Sequence, residues 1–112
     1  MPKIDLSTIG PKTLIDGYLA RLIHTENMTF SFVEAAAGKT LPEHSHMHEQ
    51  VSIMLEGEFE LTLNGEPIRF GPGSVIVIPS NAKHSGLAIT DCKLLDVFYP
   101  VREDYRKLSE EK

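Results

Sequence analysis

The chain has 112 residues, 41% hydrophobic and 24% charged, a composition that fits one folded domain able to bury roughly two-thirds of its unfolded surface. Its formal net charge of −5 argues against a nucleic-acid partner, which calls for a basic patch. No apolar run approaches the ~20 residues that span a bilayer.

Residues 1–13 read as an extended arm, and the opening lacks the charged-then-apolar pattern of a secretion signal. From about residue 14 to about residue 101 the chain reads as a succession of short strands closing into a barrel. The segment 28–36 is the first clear strand, carrying Phe30, Phe32 and Val33. Gly38, Gly57, Gly65, Gly71 and Gly73 then break the chain at the short intervals of an all-β sandwich or barrel. Phe59-Glu60-Leu61-Thr62-Leu63 alternates cleanly before Asn64-Gly65, a strong two-residue hairpin signal. Ile68-Arg69-Phe70 pairs back, Gly71-Pro72-Gly73 turns again, and 74–78 reads as a buried β-branched run closed by Pro79. The segments 84–89 and 93–99 supply the last two strands, and 102–112 a short charged helix on the solvent side. Cys92 is the chain's one cysteine. It can form no internal disulfide, reads as a small packed residue rather than a nucleophile, and fits a reducing cytoplasm.

Chemistry concentrates between Gly38 and Gly57. His44-Ser45-His46-Met47-His48-Glu49-Gln50-Val51 holds three of the five histidines, and neutral imidazole is the commonest protein ligand for divalent transition metals. In an extended strand His44 and His46 share a face and can converge on one ion. A straight strand would carry Gln50 roughly 20 Å beyond His44, too far for bonds of about 2.0–2.2 Å to one ion. Either Gln50 is no ligand, or the chain bends through Met47-His48-Glu49 and Gln50 opens the next strand. The alternation of Gln50-Val51-Ser52-Ile53-Met54-Leu55 favours the bend. Parity favours Gln50 over Glu49 as the inward residue. A solvated histidine-rich loop would give the same string without a metal.

On the last strand Leu94, Asp96 and Phe98 share one face, with Leu95, Val97 and Tyr99 on the other. An aspartate in so apolar a strand is either a functional group inside the barrel, or an edge residue facing water or paired with Lys93 or Arg102.

Both halves of this pattern resemble the cupin superfamily. Its first motif runs Gly, five residues, His-x-His, three or four residues, Glu, six residues, Gly, and Gly38, His44, His46, Gln50 and Gly57 stand at those places. Its second motif places Gly, Pro, Gly, His and Asn where Gly73, Pro79, Asn81, His84 and Ala88 stand here. The resemblance implies a double-stranded β-helix, or jelly-roll, barrel. Gln50, Asn81 and Ala88 depart from the pattern. With Gln50 as a neutral ligand, His44, His46, Gln50 and His84 leave a divalent ion close to +2, suited to an anionic substrate.

A narrower likeness joins the run His-x-His-x-His-Glu-Gln, Leu55-Glu56-Gly57-Glu58-Phe59-Glu60 and the ending Leu94-Leu95-Asp96-Val97-Phe98-Tyr99-Pro100-Val101-Arg102-Glu103-Asp104-Tyr105. It is similar to the KdgF family of small cupins, which promotes conversion of 4,5-unsaturated uronates from pectin or alginate to linear 4-deoxy-5-keto uronates. The resemblance implies a metal held by His44, His46, Gln50 and His84, with Asp96, Phe98 and Arg102 on the substrate. Asp96 is then the proton-transfer group, Phe98 an apolar wall and Arg102 the grip on the substrate carboxylate. Plain core packing for Phe98 and a surface pair with Glu103 or Asp104 for Arg102 are the alternative readings. The ion is one divalent transition metal, with nickel, zinc, manganese and iron all admitted by these donors. Two other functions fit the same barrel: a metal-containing module that binds a small anionic sugar without chemistry, and a dioxygenase, disfavoured because Gln50 replaces the expected carboxylate. A homodimer is expected, with 2–13 adding a strand to a neighbour's sheet edge. His24 and His48 have no assigned role.

Overall fold

A computed structural model describes residues 3–111. A short 3-10 turn, Leu6–Thr8, precedes ten strands. These are β1 Lys12–Ile15, β2 Tyr18–His24, β3 Thr29–Ala35, β4 Thr40–His44, β5 Glu49–Glu56, β6 Phe59–Leu63, β7 Glu66–Phe70, β8 Val75–Ile78, β9 His84–Ala88 and β10 Cys92–Tyr99. A single helix, α1 Glu103–Glu110, follows. The strands form a six-stranded sheet, in the order β1-β2-β3-β10-β5-β8, facing a four-stranded sheet, β4-β9-β6-β7. Every pairing is antiparallel. The result is an all-β jelly-roll barrel with a short C-terminal helix.

Strand parity builds the interior. Asn64 and Gly65 both take positive φ, 49° and 83°, which gives the β6–β7 hairpin the turn that suits right-twisted strands. Tyr18, Val33, Met54, Phe59, Leu61 and Leu94 face the interior and form the apolar end of the core. The other end is polar: Thr29, Ser31, Gln50, Ser52 and His84 are all buried. The phenylalanines of β3 are not part of this core. Thr29, Ser31, Val33 and Ala35 are the buried positions, and Phe30 and Phe32 lie on the opposite, half-exposed face.

Two further sequence expectations change. The segment 74–78 is not buried throughout. β8 lies at the edge of its sheet, so Ile76 and Ile78 point inward while Val75 and Val77 are exposed. Nor is 1–13 a free arm over its described length. Lys12 and Thr13 pair with Ala20 and Leu19 of the same chain, and Arg21 Nε donates to Ile9 O at 2.9 Å. Met1 and Pro2 of that segment, and Lys112 of the charged tail, lie outside the described residues. No helix among the described residues is long and apolar enough to cross a membrane.

Candidate metal centre and its cavity

His44 ends β4 in the four-stranded sheet, and Gln50 is the second residue of β5 in the six-stranded one. The bend through 45–48 therefore carries the chain from one sheet to the other across the barrel mouth. His46 sits in that bend rather than on a strand, so His44 and His46 meet through the turn and not by strand parity. His84 opens β9 directly opposite His44. The Asn81 N–H donates to His46 O at 2.8 Å and ties the two histidine-bearing loops together. Glu49 is exposed and Gln50 buried, the orientation that parity gave.

One ring nitrogen from each of His44, His46 and His84 lies within 4.8 Å of the others. The opposite nitrogen of each ring is anchored to backbone. Nδ1 lies 2.8 Å from Pro42 O in His44, 3.1 Å from His48 O in His46 and 2.9 Å from Ala82 O in His84. A backbone carbonyl only accepts, so each Nδ1 carries the proton and each Nε2 presents a lone pair. Metal-bound histidines have this arrangement. His84 Nε2 is buried with no hydrogen-bond partner among the described residues.

His46 is the sharpest test of fit. Its Nδ1 faces one acceptor oxygen and its Nε2 faces another, Gln50 Oε1, at 3.1 Å. A neutral imidazole has one N–H and cannot satisfy both. A doubly protonated ring could, but burial first, and then the charges of Arg102 and His84, push the His46 pKa down to about 4. A cation held by His46 and Gln50 would resolve the conflict. Burial lowers the His84 pKa as well, which favours the neutral ring at His46 and His84, as ligation requires.

Beside the histidines opens a cavity of about 350 Å³, lined toward its mouth by His44, Gln50, His84, Asp96, Phe98 and Arg102. Asp96 lies on β10, whose neighbours are β3 and β5, so it is no edge residue. Lys93 pairs instead with Glu56 at 3.4 Å and Arg102 with Asp104 at 2.6 Å, leaving Asp96 without an ion pair among the described residues. Its side chain is half-buried at the cavity wall. Burial raises its pKa, with hydrogen bonds from Ser52 and Gln50 and the charge of Arg102 pulling the other way. Ser52 Oγ donates to Asp96 Oδ1 at 2.6 Å.

Phe98 is buried, and its ring meets His46 edge-on at 5.7 Å and Tyr105 at 5.7 Å. It is both packing and cavity wall. The Arg102 guanidinium lies 3.8 Å from the centre of the Tyr105 ring and 4.8 Å from that of Phe98. It donates through Nε and Nη2 to Asp104, yet its side chain is only 12% exposed. The pair with Asp104 thus holds Arg102 at the cavity rather than out in solvent.

The cupin-domain family model matches residues 31–98, a span that holds both histidine-bearing loops together with Asp96 and Phe98 of β10 and ends before Arg102. The chain is a member of the cupin family. KdgF from Halomonas sp. is similar in structure, with a TM-score of 0.81 and 28% identity over 86% of this chain and 90% of that one. An RmlC-like cupin from Shewanella frigidimarina superposes with a TM-score of 0.88 at 23% identity, covering 94% and 96%. The salicylate 1,2-dioxygenase of Pseudoaminobacter salicylatoxidans shares the fold at a TM-score of 0.74 and 22% identity, over 80% of this chain and 28% of that one. No curated protein sequence matches the chain.

The departures from the cupin motifs have local accounts. Asn81 takes φ 65°, a left-handed conformation that asparagine tolerates best after glycine. Gly57 keeps its place because φ is 92° and a Cβ would run into the Asp91 carbonyl. Ala88 is fully buried, with its backbone bonded to Gly38 and Lys39. Sequence reasoning gave no role to Ser52, Tyr105, Thr29 and His24. Thr29 Oγ1 accepts from the Arg102 N–H at 2.9 Å and contacts His24 Nδ1 at 2.9 Å, while His24 Nε2 reaches Ser109 Oγ at 3.0 Å. His24 therefore ties β2 to α1. His48 stands beside the site, 5.4 Å from the His46 ring, with a buried Nδ1 that has no partner among the described residues. A polar residue at every inward position of one strand end was the signal available for Thr29 and Ser52.

Proposed function

We propose that this cupin converts 4,5-unsaturated uronates, released from pectin or alginate, to linear 4-deoxy-5-keto uronates, with one divalent transition metal held by His44, His46, Gln50 and His84. The observation that carries the reading is the meeting of two sets on one cavity. A His/His/Gln/His donor set stands beside an acidic group with a raised pKa, an aromatic wall and an arginine. The structural likeness to KdgF from Halomonas sp. supports it.

When bound, the ion supplies positive charge and Lewis acidity at the cavity mouth, for which a neutral glutamine leaves nearly the full +2. The chain's own residues do the rest. Arg102 keeps three N–H donors beyond the two committed to Asp104 and engages the substrate carboxylate. Phe98 packs against the ring and excludes water from one side. Asp96 moves the proton. It takes the proton of the C1 hydroxyl as the C1–O5 bond breaks and the C1 carbonyl forms, and O5 leaves as the enol oxygen. It then returns a proton at C4 as the C5 carbonyl forms. No water is consumed and the carboxyl ends as it began. Burial brings its pKa closer to neutrality, where an acid–base group works best.

Turnover of unsaturated galacturonate, mannuronate or guluronate by metal-loaded protein tests the reading directly. Thermal stabilisation by these sugars without turnover would leave a binding module instead. A twofold dimer belongs to the same proposal. The outer face of the six-stranded sheet supports it, since Val75, Val77, Leu55 and Tyr99 are exposed there. Light scattering at micromolar concentration checks it, and a monomer mass removes it.

A further inference from the structure

The interior face of the six-stranded sheet carries two adjoining rows of side chains. Ser31, Asp96 and Ser52 are direct partners across β3, β10 and β5, and Thr29, Phe98 and Gln50 form the next row. Gln50 and Ser52, two apart on β5, face the same way. The amide of Gln50 has two ends of nearly equal shape and opposite chemistry, an oxygen that binds cations and an NH₂ that cannot. Which end faces His46 decides whether Gln50 can be a ligand at all.

Ser52 makes that choice. Gln50 Nε2 donates to Ser52 Oγ at 3.1 Å. The hydroxyl is free to accept because its own hydrogen goes to Asp96 Oδ1 at 2.6 Å. A reversed amide would set its oxygen against a hydroxyl whose proton is already committed. It would also turn its NH₂ on the lone pair of His46 Nε2 and close the site with a hydrogen bond. We propose that Ser52, anchored from behind by Asp96, is a positioning residue that fixes the Gln50 amide with its oxygen toward the three histidines. The inference rests on the metal reading given above but on no particular substrate.

Zinc affinity, measured by competition against a chromophoric chelator, tests it without turnover. Removing such an outer partner costs about 10–100-fold in metal affinity. Ser52→Ala should raise the zinc Kd by about that factor. Ser52→Thr, which restores the hydroxyl, should stay within about 3-fold of wild type, and so should Asp96→Asn, whose side-chain oxygen still accepts from Ser52. In a Gln50→Ala background the same Ser52→Ala change should have almost no effect, because the group it positions is gone. Should Ser52→Ala not fold, Ser52→Cys, with a poorly accepting sulfur, should shift the Kd in the same direction. A Ser52→Ala protein that binds zinc as wild type does overturns the proposal, and so does a loss that persists undiminished without Gln50. Wild-type protein that binds no zinc, nickel, manganese or iron overturns the proposal and the metal reading together, a result distinct from the other two.

Discussion

Asp96 faces the barrel interior with the Ser52 hydroxyl 2.6 Å from its Oδ1 and no cation paired to it among the described residues. Its folded-state pKa is raised, so it contributes stability that is present at low pH and lost as pH rises through that folded value. Asp96→Asn should therefore raise the thermal midpoint at neutral pH and lose that advantage on acidification, while turnover falls by at least ~100-fold and saturating metal content is kept. An Asp96→Asn protein that keeps near-full turnover removes Asp96 as the proton-transfer group. His46 runs the other way. Its pKa falls from 6.5 in the unfolded chain to about 4 in the fold, so its contribution is complete above 6.5 and lost as pH drops toward 4. Melting curves of the metal-free protein between these pH values should show that slope, and His46→Gln should flatten it. An equally steep slope in the variant would show that another group causes it.

At the scale of elements, α1 serves the site through what holds it. His24 on β2 spans Thr29 and Ser109, and Thr29 in turn accepts from the Arg102 N–H at the entry to the helix. Loss of the His24 ring should cost about 0.5–1.5 kcal/mol for each of its two hydrogen bonds, since Thr29 keeps the Arg102 N–H and Ser109 keeps the Tyr105 carbonyl. Hydrogen exchange in His24→Ala should quicken first along α1 rather than in the sheets. Arg102→Lys keeps the charge but loses the planar fork stacked on Tyr105, and a rise in KM of about 10-fold with a smaller change in kcat is expected. A kcat loss alone would place Arg102 in the chemistry instead of in binding. These elements also show what the sequence discloses. The hairpin at Asn64-Gly65 and the shared face of Leu94, Asp96 and Phe98 are local properties of turn and pleat, so they can be read directly. The role of His24 cannot, because Ser109 lies 85 residues away and only the folded barrel brings them together. The exposure of Val75 and Val77 was hidden for a related reason. A β-branched run looks the same in a central strand as in an edge strand, and sheet order is a long-range property. The four candidate donors were legible as residue types in motif spacing, whereas the reason His46 and Gln50 meet, a bend crossing between sheets, belongs to the topology.

For the molecule as a whole, the barrel divides into an apolar end that holds it together and a polar end that is buried only in part by its own hydrogen bonds. The His84 Nε2 without a partner among the described residues and the Gln50 oxygen turned on the His46 Nε2 lone pair are the unmet demands of that end, and an ion would meet them. Zinc at 100 times its Kd should stabilise the folded chain by about 2.7 kcal/mol, and a chelator should reverse the gain. An unchanged melting curve would mean that the polar end is complete without metal. The central claim joins this centre to uronate chemistry, and one assay addresses it: ultraviolet absorbance of the conjugated double bond in freshly generated unsaturated uronates, followed with metal-loaded protein, with chelated protein and without protein. Faster loss of absorbance with the metal-loaded protein alone is the predicted result. A rate equal to the spontaneous one for every uronate, with metal content verified, would contradict it.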